Sequence, residues 1–224
     1  MATTKVVDVI DRAAIILQDA SHVRYPEAEL LKFFNDAQRE VVLHRPDAKM
    51  VTADHDCVAG SKQALPATGL RLIDVVRNKD GRAITQVDRK ILDETLPNWH
   101  ETDAGTNKIE HYVYDPAAPK VFYLYPKATT DFDIEIVYSE APTDIAISNF
   151  ATDTQVISID DVYAGALLDF MLMRAYQKDS EYAGNAQRAQ MHYQSFQTSL
   201  GMKIQIDTAL NPTPSTPDMN VGRM

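Results

Sequence analysis

A mixed α+β protein is predicted by three features of the sequence: a helical apolar period at both ends, alternating strand patterns in the middle, and no apolar run long enough for a membrane. Helical spacing runs from Thr4 to about Pro46 and again from Ile159 to Leu200, while Val51 to Glu140 alternates with a period of two. The expected arrangement is a helical bundle formed by the N- and C-terminal helices, an inserted small β-sandwich or barrel-like domain, and an extended C-terminal arm. In residue numbers these are N-terminal helices 1–50, a β-rich insertion 51–140, a linker 141–158, a C-terminal helical hairpin 159–203 and an arm 204–224.

The first helix is expected over Thr4 to Asp19, with Val6, Ile10, Ala13 and Leu17 inward, Asp8, Asp11, Arg12 and Gln18 outward, and Thr3 or Thr4 as cap. Pro26-Glu27 opens the next one, since a first-turn proline lacks an amide that would have no partner anyway and the glutamate suits the helix dipole. Leu30, Phe34, Ala37 and Val41 form its buried face, and Pro46 obliges it to stop.

In the middle, Leu70, Ile73 and Val75-Val76 alternate with Arg71, Asp74 and Arg77, and Asn78-Lys79-Asp80-Gly81 is turn chemistry, so a hairpin with a second strand from Arg82 to Val87 is expected. A short helix from Asp88 to Glu94 follows, with Trp99 as a plug or surface anchor. Strands are then expected at Glu110 to Tyr114, Val121 to Tyr125 and Phe132 to Tyr138.

The C-terminal pair differs in character. Val162 to Tyr176 is apolar or glycine except at Asp169 and Arg174, which predicts a helix buried all round. Glu181 to Leu200 carries one narrow stripe, Tyr182, Ala186, Ala189, Tyr193, Phe196 and Leu200, with Asp179 or Ser180 as N-cap. Gly201 is expected to end that helix. Beyond it, Asn211-Pro212-Thr213-Pro214-Ser215-Thr216-Pro217 can neither continue a helix nor enter a central strand. The tail reads either as a frayed end or as an arm that orders on a partner.

Composition narrows the classes of function. The formal charge of −10 on 224 residues works against a nucleic-acid groove, whose phosphates call for clustered lysine and arginine. The lone Cys57 rules out an internal disulfide and fits a reducing compartment. With no run near the roughly 20 apolar residues of a membrane span and no apolar signal core, the chain is expected to stay in the cytoplasm where it is made and to engage no membrane.

A search for chemistry returns little. His55 and Cys57 could both face one side of a strand, but no second pair of ligands accompanies them, so no metal and no cofactor is expected. Asp160-Asp161 could act as an acid pair, yet their place before an apolar helix favours cap and first-turn charge. Glu94 and Glu101 flank Trp99 as the other conceivable hydrolase pair. Asp169, Arg174 and Arg188 read as internal or intersubunit salt bridges. No catalytic residue is assigned, and the chain reads as a non-enzyme.

The succession RYPEAELLKFFNDAQREVVLHRPDA (Arg24 to Ala48), AGSKQALPATGLRLIDVVRN (Ala59 to Asn78), HYVYDPAAPKVFYLYP (His111 to Pro126) and DDVYAGALLDFMLMRAYQKDSEYAGNAQRAQMHYQSF (Asp160 to Phe196) resembles the head-to-tail adaptor proteins of short-tailed bacteriophages. The resemblance implies a helical bundle with an inserted β-domain, and a structural subunit of the virion neck assembled in the host cytoplasm. It also implies a ring, typically of twelve, beneath the portal protein and against the tail nozzle or next tail component. DNA would pass through that ring without sequence-specific binding. In this family the C-terminal arm reaches the portal, which here points to Pro212, Pro214, Pro217 and Met219. The alternatives are a virion-associated cell-wall hydrolase, or another neck protein such as a stopper or tail-completion protein.

Overall fold

A computed structural model describes residues 2–79, 81–101, 105–182 and 184–210, with side chains described as far as 202. Two compact units emerge, Met1–Lys5 with Gln38–Ala146 and Thr154–Asp161, and Val6–Ala37 with Ile147–Asp153 and Val162–Met224. Among the described residues the architecture is mixed α+β, with five α-helices and two sheets. The segment 141–158, expected as a linker, is shared between the two units.

The β unit holds β1 (Met50–Asp56), β2 (Gly60–Ala64), β3 (Gly69–Asn78), β4 (Thr85–Gln86), α3 (Arg89–Thr95), β5 (His111–Tyr114), β6 (Val121–Ala128) and β7 (Asp133–Glu140). One sheet has the order β1-β7-β3 and the other β2-β6-β5-β4, so the strands do not close into a barrel and the sandwich alternative describes them. Leu72 and Val75 of β3, Ile134 and Ile136 of β7, and Phe122 and Leu124 of β6 share one core between the sheets. Alternation along β6 turns Tyr123 and Tyr125 to the other face, where Leu92 of α3, Trp99 and Val113 form a second cluster. Trp99 is therefore a plug, 1% exposed, its indole N–H donating to Asp93 at 2.9 Å. Asp88 caps α3, its carboxylate accepting from the Lys90 amide.

Two strand expectations are corrected. β3 pairs with β7 through Gly69, Arg71, Leu72, Asp74, Val75, Arg77 and Asn78, and the register shifts at each intervening Leu70, Ile73 and Val76. Three bulges turn its burial period from two to three, so Leu72, Val75 and Asn78 point inward while Ile73 is 40% exposed. The Asn78 to Gly81 turn does form, with an isolated Arg77–Ala83 bridge, but no long hairpin follows. Instead β4 crosses to the other sheet and pairs parallel with β5. Asn78 fixes the crossing: its buried amide donates to the Arg82 and Ile109 carbonyls and accepts from the Ile109 N–H. Gly105 lies against β6, where a Cβ would come within 2.5 Å of the Ala128 carbonyl oxygen, so only glycine fits.

The helical unit holds α1 (Val6–Ile16), the first part of α2 (Glu27–His44), α4 (Ala164–Lys178) and α5 (Asn185–Leu210). α2 stops before Pro46 and buries Leu30, Phe34, Ala37 and Val41 as its spacing predicts. α4 buries nine of its fifteen residues, on every side, and packs against both α1 and α5. α5 departs from expectation at both ends. It begins at Asn185, because Asp179 closes α4 and the chain then turns through Gly184 at φ +89. It runs through Gly201 to Leu210, since one glycine inside a helix costs only about 1 kcal/mol relative to alanine. Its buried stripe is Asn185, Ala189, Phe196 and Leu200, whereas Tyr182, Ala186 and Tyr193 of the expected stripe are exposed.

Candidate functional site

Of the carboxylates singled out in the sequence, Asp161 is held by the fold. Asp161 accepts from the Thr3 and Thr4 amides and from the Thr3 hydroxyl at 2.8–2.9 Å. These bonds, led by the Thr4 amide, hold its carboxyl well below the usual range. It therefore anchors the N-terminal segment; the N-cap position of α4 is Tyr163, which makes no side-chain cap bond. Asp160 and both members of the Glu94 and Glu101 pair are exposed. The cleft beside Trp99, about 290 Å³, is lined by Thr95, Leu96, Pro97, Asn98, Trp99 and Tyr125 and takes no carboxylate into its wall.

His55 and Cys57 do not come together as ligands. Cys57 is buried in the sheet-to-sheet core and burial pushes its thiol up to about 12, while burial pulls the His55 imidazole down. Among the described residues no group of three or more potential ligands forms a metal site. The structure adds one contact that no sequence spacing could reveal, the Ser61 hydroxyl at 2.8 Å from His100 Nδ1, the two being thirty-nine residues apart. Ser61 is 8% exposed and His100 stacks on Trp99 with ring centroids 3.6 Å apart. The pair locks the loop onto β2.

In the helical unit the ionisable groups of the α4–α5 connection form a clasp. Asp179 accepts from the Tyr25 hydroxyl and, at 2.8 Å, from Arg24 Nε, and these bonds, Tyr25 first, lower its pKa. Burial and that carboxylate push the Tyr25 phenol well up. The clasp is completed by Lys178 on Glu29 at 2.6 Å, and by Asp19, which accepts from the Val23, Arg24 and Tyr25 amides and is lowered chiefly by the last. Asp179, one of the two candidate caps for α5 beside Ser180, instead ties the α4 end to the loop between α1 and α2.

Of the charges that interrupt the C-terminal helices, Asp169 pairs with His192 Nδ1 at 2.8 Å, as an internal bridge should. The two arginines differ. Arg174 lies 5.1 Å over the Phe170 ring and Arg188 5.7 Å over Tyr176, and among the described residues neither forms an ion pair. Pro212, Pro214, Pro217 and Met219 lie outside the described residues.

The polar groups around Asp161, Ser61 and Asp179 hold chain segments in place. Among the described residues no helix is long and apolar enough to cross a membrane. A family model described as SU10 adaptor protein matches residues 4–218, and the chain belongs to that family, whose members are phage structural adaptors. No curated protein matches the chain.

Proposed function

We propose that the protein assembles as a ring of twelve beneath the portal of a phage, extends the DNA channel and docks the next tail component at the virion neck. The observation that carries this reading is the adaptor-family match across nearly the whole chain, from residue 4 to residue 218. Two physical features support it. A net charge of −10 and a pI near 5.0 give a conduit that repels the DNA backbone, so DNA passes without being gripped. A proline-rich C-terminal arm that orders on its partner meets its ordering cost only at assembly, which keeps free subunits apart until a portal is present. The isolated protein is accordingly a monomer or weak oligomer in the host cytoplasm, and a stable dodecamer in sedimentation without portal would contradict that.

The arm carrying Pro212, Pro214, Pro217 and Met219 is assigned to the portal. The test compares the full chain with a truncation after Leu210, which keeps the whole of α5, by cosedimentation with the portal of the same phage. Loss of cosedimentation on truncation is expected, and undiminished cosedimentation would move the portal contact elsewhere.

A further inference from the structure

The helical unit exposes two faces that its own packing leaves unused. On α5, Arg188, Met191, Ser195, Thr198 and Met202 follow one another at steps of three, four, three and four, and all are exposed. With 3.6 residues per turn this row lies about 130° round the helix from the buried stripe. Its methionines stand 60% and 57% exposed, and the small Ser195 and Thr198 between them leave room for a second helix to approach closely. On α1, Asp8, Asp11, Arg12 and Ile15 are exposed on the side opposite Val6, Ile10 and Ala13, and Ile15 is 66% exposed. α4, packed against both α1 and α5 and buried all round, is the helix from which both faces turn away.

We infer that these faces are the two halves of the contact between neighbouring subunits, α5 of one copy receiving α1 of the next. This rests on the ring proposed above and names the surface through which it closes. A second copy is the occupant for three reasons. The faces differ, as a head-to-tail contact that closes a ring requires. Their charges match, since Arg188 makes no ion pair among the described residues and opens the α5 row, while Asp8 and Asp11 open the α1 row. The order of chemistry matches too: a parallel approach that sets Arg188 between the two aspartates brings Ile15 between Met191 and Ser195 and leaves Arg12 level with the uncharged Met191. α1 has only eleven residues, so one such contact sits at the small end of interface sizes and is weak until a portal gathers the subunits.

Cross-linking tests the contact. The full chain carrying Ile15→Cys and Ser195→Cys is mixed with the portal of the same phage and treated with a short bis-maleimide. Cys57, buried and with its thiol pushed up to about 12, stays silent. A ladder of covalent multimers climbing toward ring size is expected, because each copy offers both halves, and each single variant gives no ladder. In a companion experiment, Arg188→Asp cuts the number of portal-bound rings at least tenfold, and adding Asp11→Arg in the same chain restores them. Wild-type rings by electron microscopy without a ladder from the double-cysteine chain would overturn the contact and leave the ring standing. Absence of wild-type rings would overturn both. A folding defect in Arg188→Asp would show in its thermal melt, and the ladder, built on two exposed positions, then decides alone.

Discussion

In the β unit, charged side chains meet one another across the three-stranded sheet: Lys79 lies between Asp54 and Asp133, Arg77 on Glu135 and Lys49 on Glu140. In the helical unit, Arg174 and Arg188 lie over aromatic rings, and α5 shows methionines to solvent. The first pattern pairs charge with charge within one surface. The second leaves charge and apolar area uncommitted, which is what an assembly surface needs. The difference is the ground on which the inferred subunit contact is placed on the helices.

The comparison can be broken from either side. The largest effect is expected in the β core, where Phe122→Ala removes a side chain with no exposure from between the sheets and should cost about 3–5 kcal/mol in denaturant unfolding. A loss below about 1 kcal/mol would mean that the sheets do not share a tight core. Next comes the clasp of the helical unit: Asp179→Ala takes the carboxylate from Arg24 and leaves the Tyr25 hydroxyl only the Ala175 carbonyl at 3.3 Å, and should cost about 2 kcal/mol, with Tyr25→Phe costing roughly half of that.

Both units should share one response to acid. Asp19, Asp93, Asp161 and Asp179 all have folded pKa values below the ordinary aspartate value. The stability they contribute is therefore fully present above about pH 4 and is lost as pH falls through the folded values. Thermal melts between pH 6 and pH 2 should show a midpoint flat at the upper end and falling below about pH 4. Asp161→Asn should melt lower at pH 7 and lose less on acidification. The smallest effect is expected on the charged sheet face, where Arg77→Ala removes a half-exposed pair with Glu135 and should change stability by less than about 1 kcal/mol.

The sequence carried the helices better than the strands. An all-apolar α4 has one physical solution, burial on every side, and Pro46 and Asp88 mark helix boundaries through local chemistry alone. β2 was not legible because its buried members are Ser61 and Gln63. Gln63 takes the place of an apolar residue by donating to the Val58 and Gly60 carbonyls and accepting from the Val58 amide. β3 misled because three bulges reset its period, and no residue in Leu70 to Asn78 announces a bulge. The α5 start was misplaced because Asp179, a sound cap by type, is engaged by Tyr25, more than 150 residues away in sequence. The candidate surfaces were hidden for a related reason: α5 was read for its inward stripe, and the row from Arg188 to Met202 becomes visible only once that stripe is known to be buried.

The measurement that bears most directly on the account is electron microscopy of the full-length protein mixed with the portal of the same phage. The account predicts a closed ring of subunits stacked coaxially on the portal, with its channel continuous with the portal's. Folded protein that leaves the portal bare would contradict the adaptor ring, and with it the head-to-tail contact between α5 and α1.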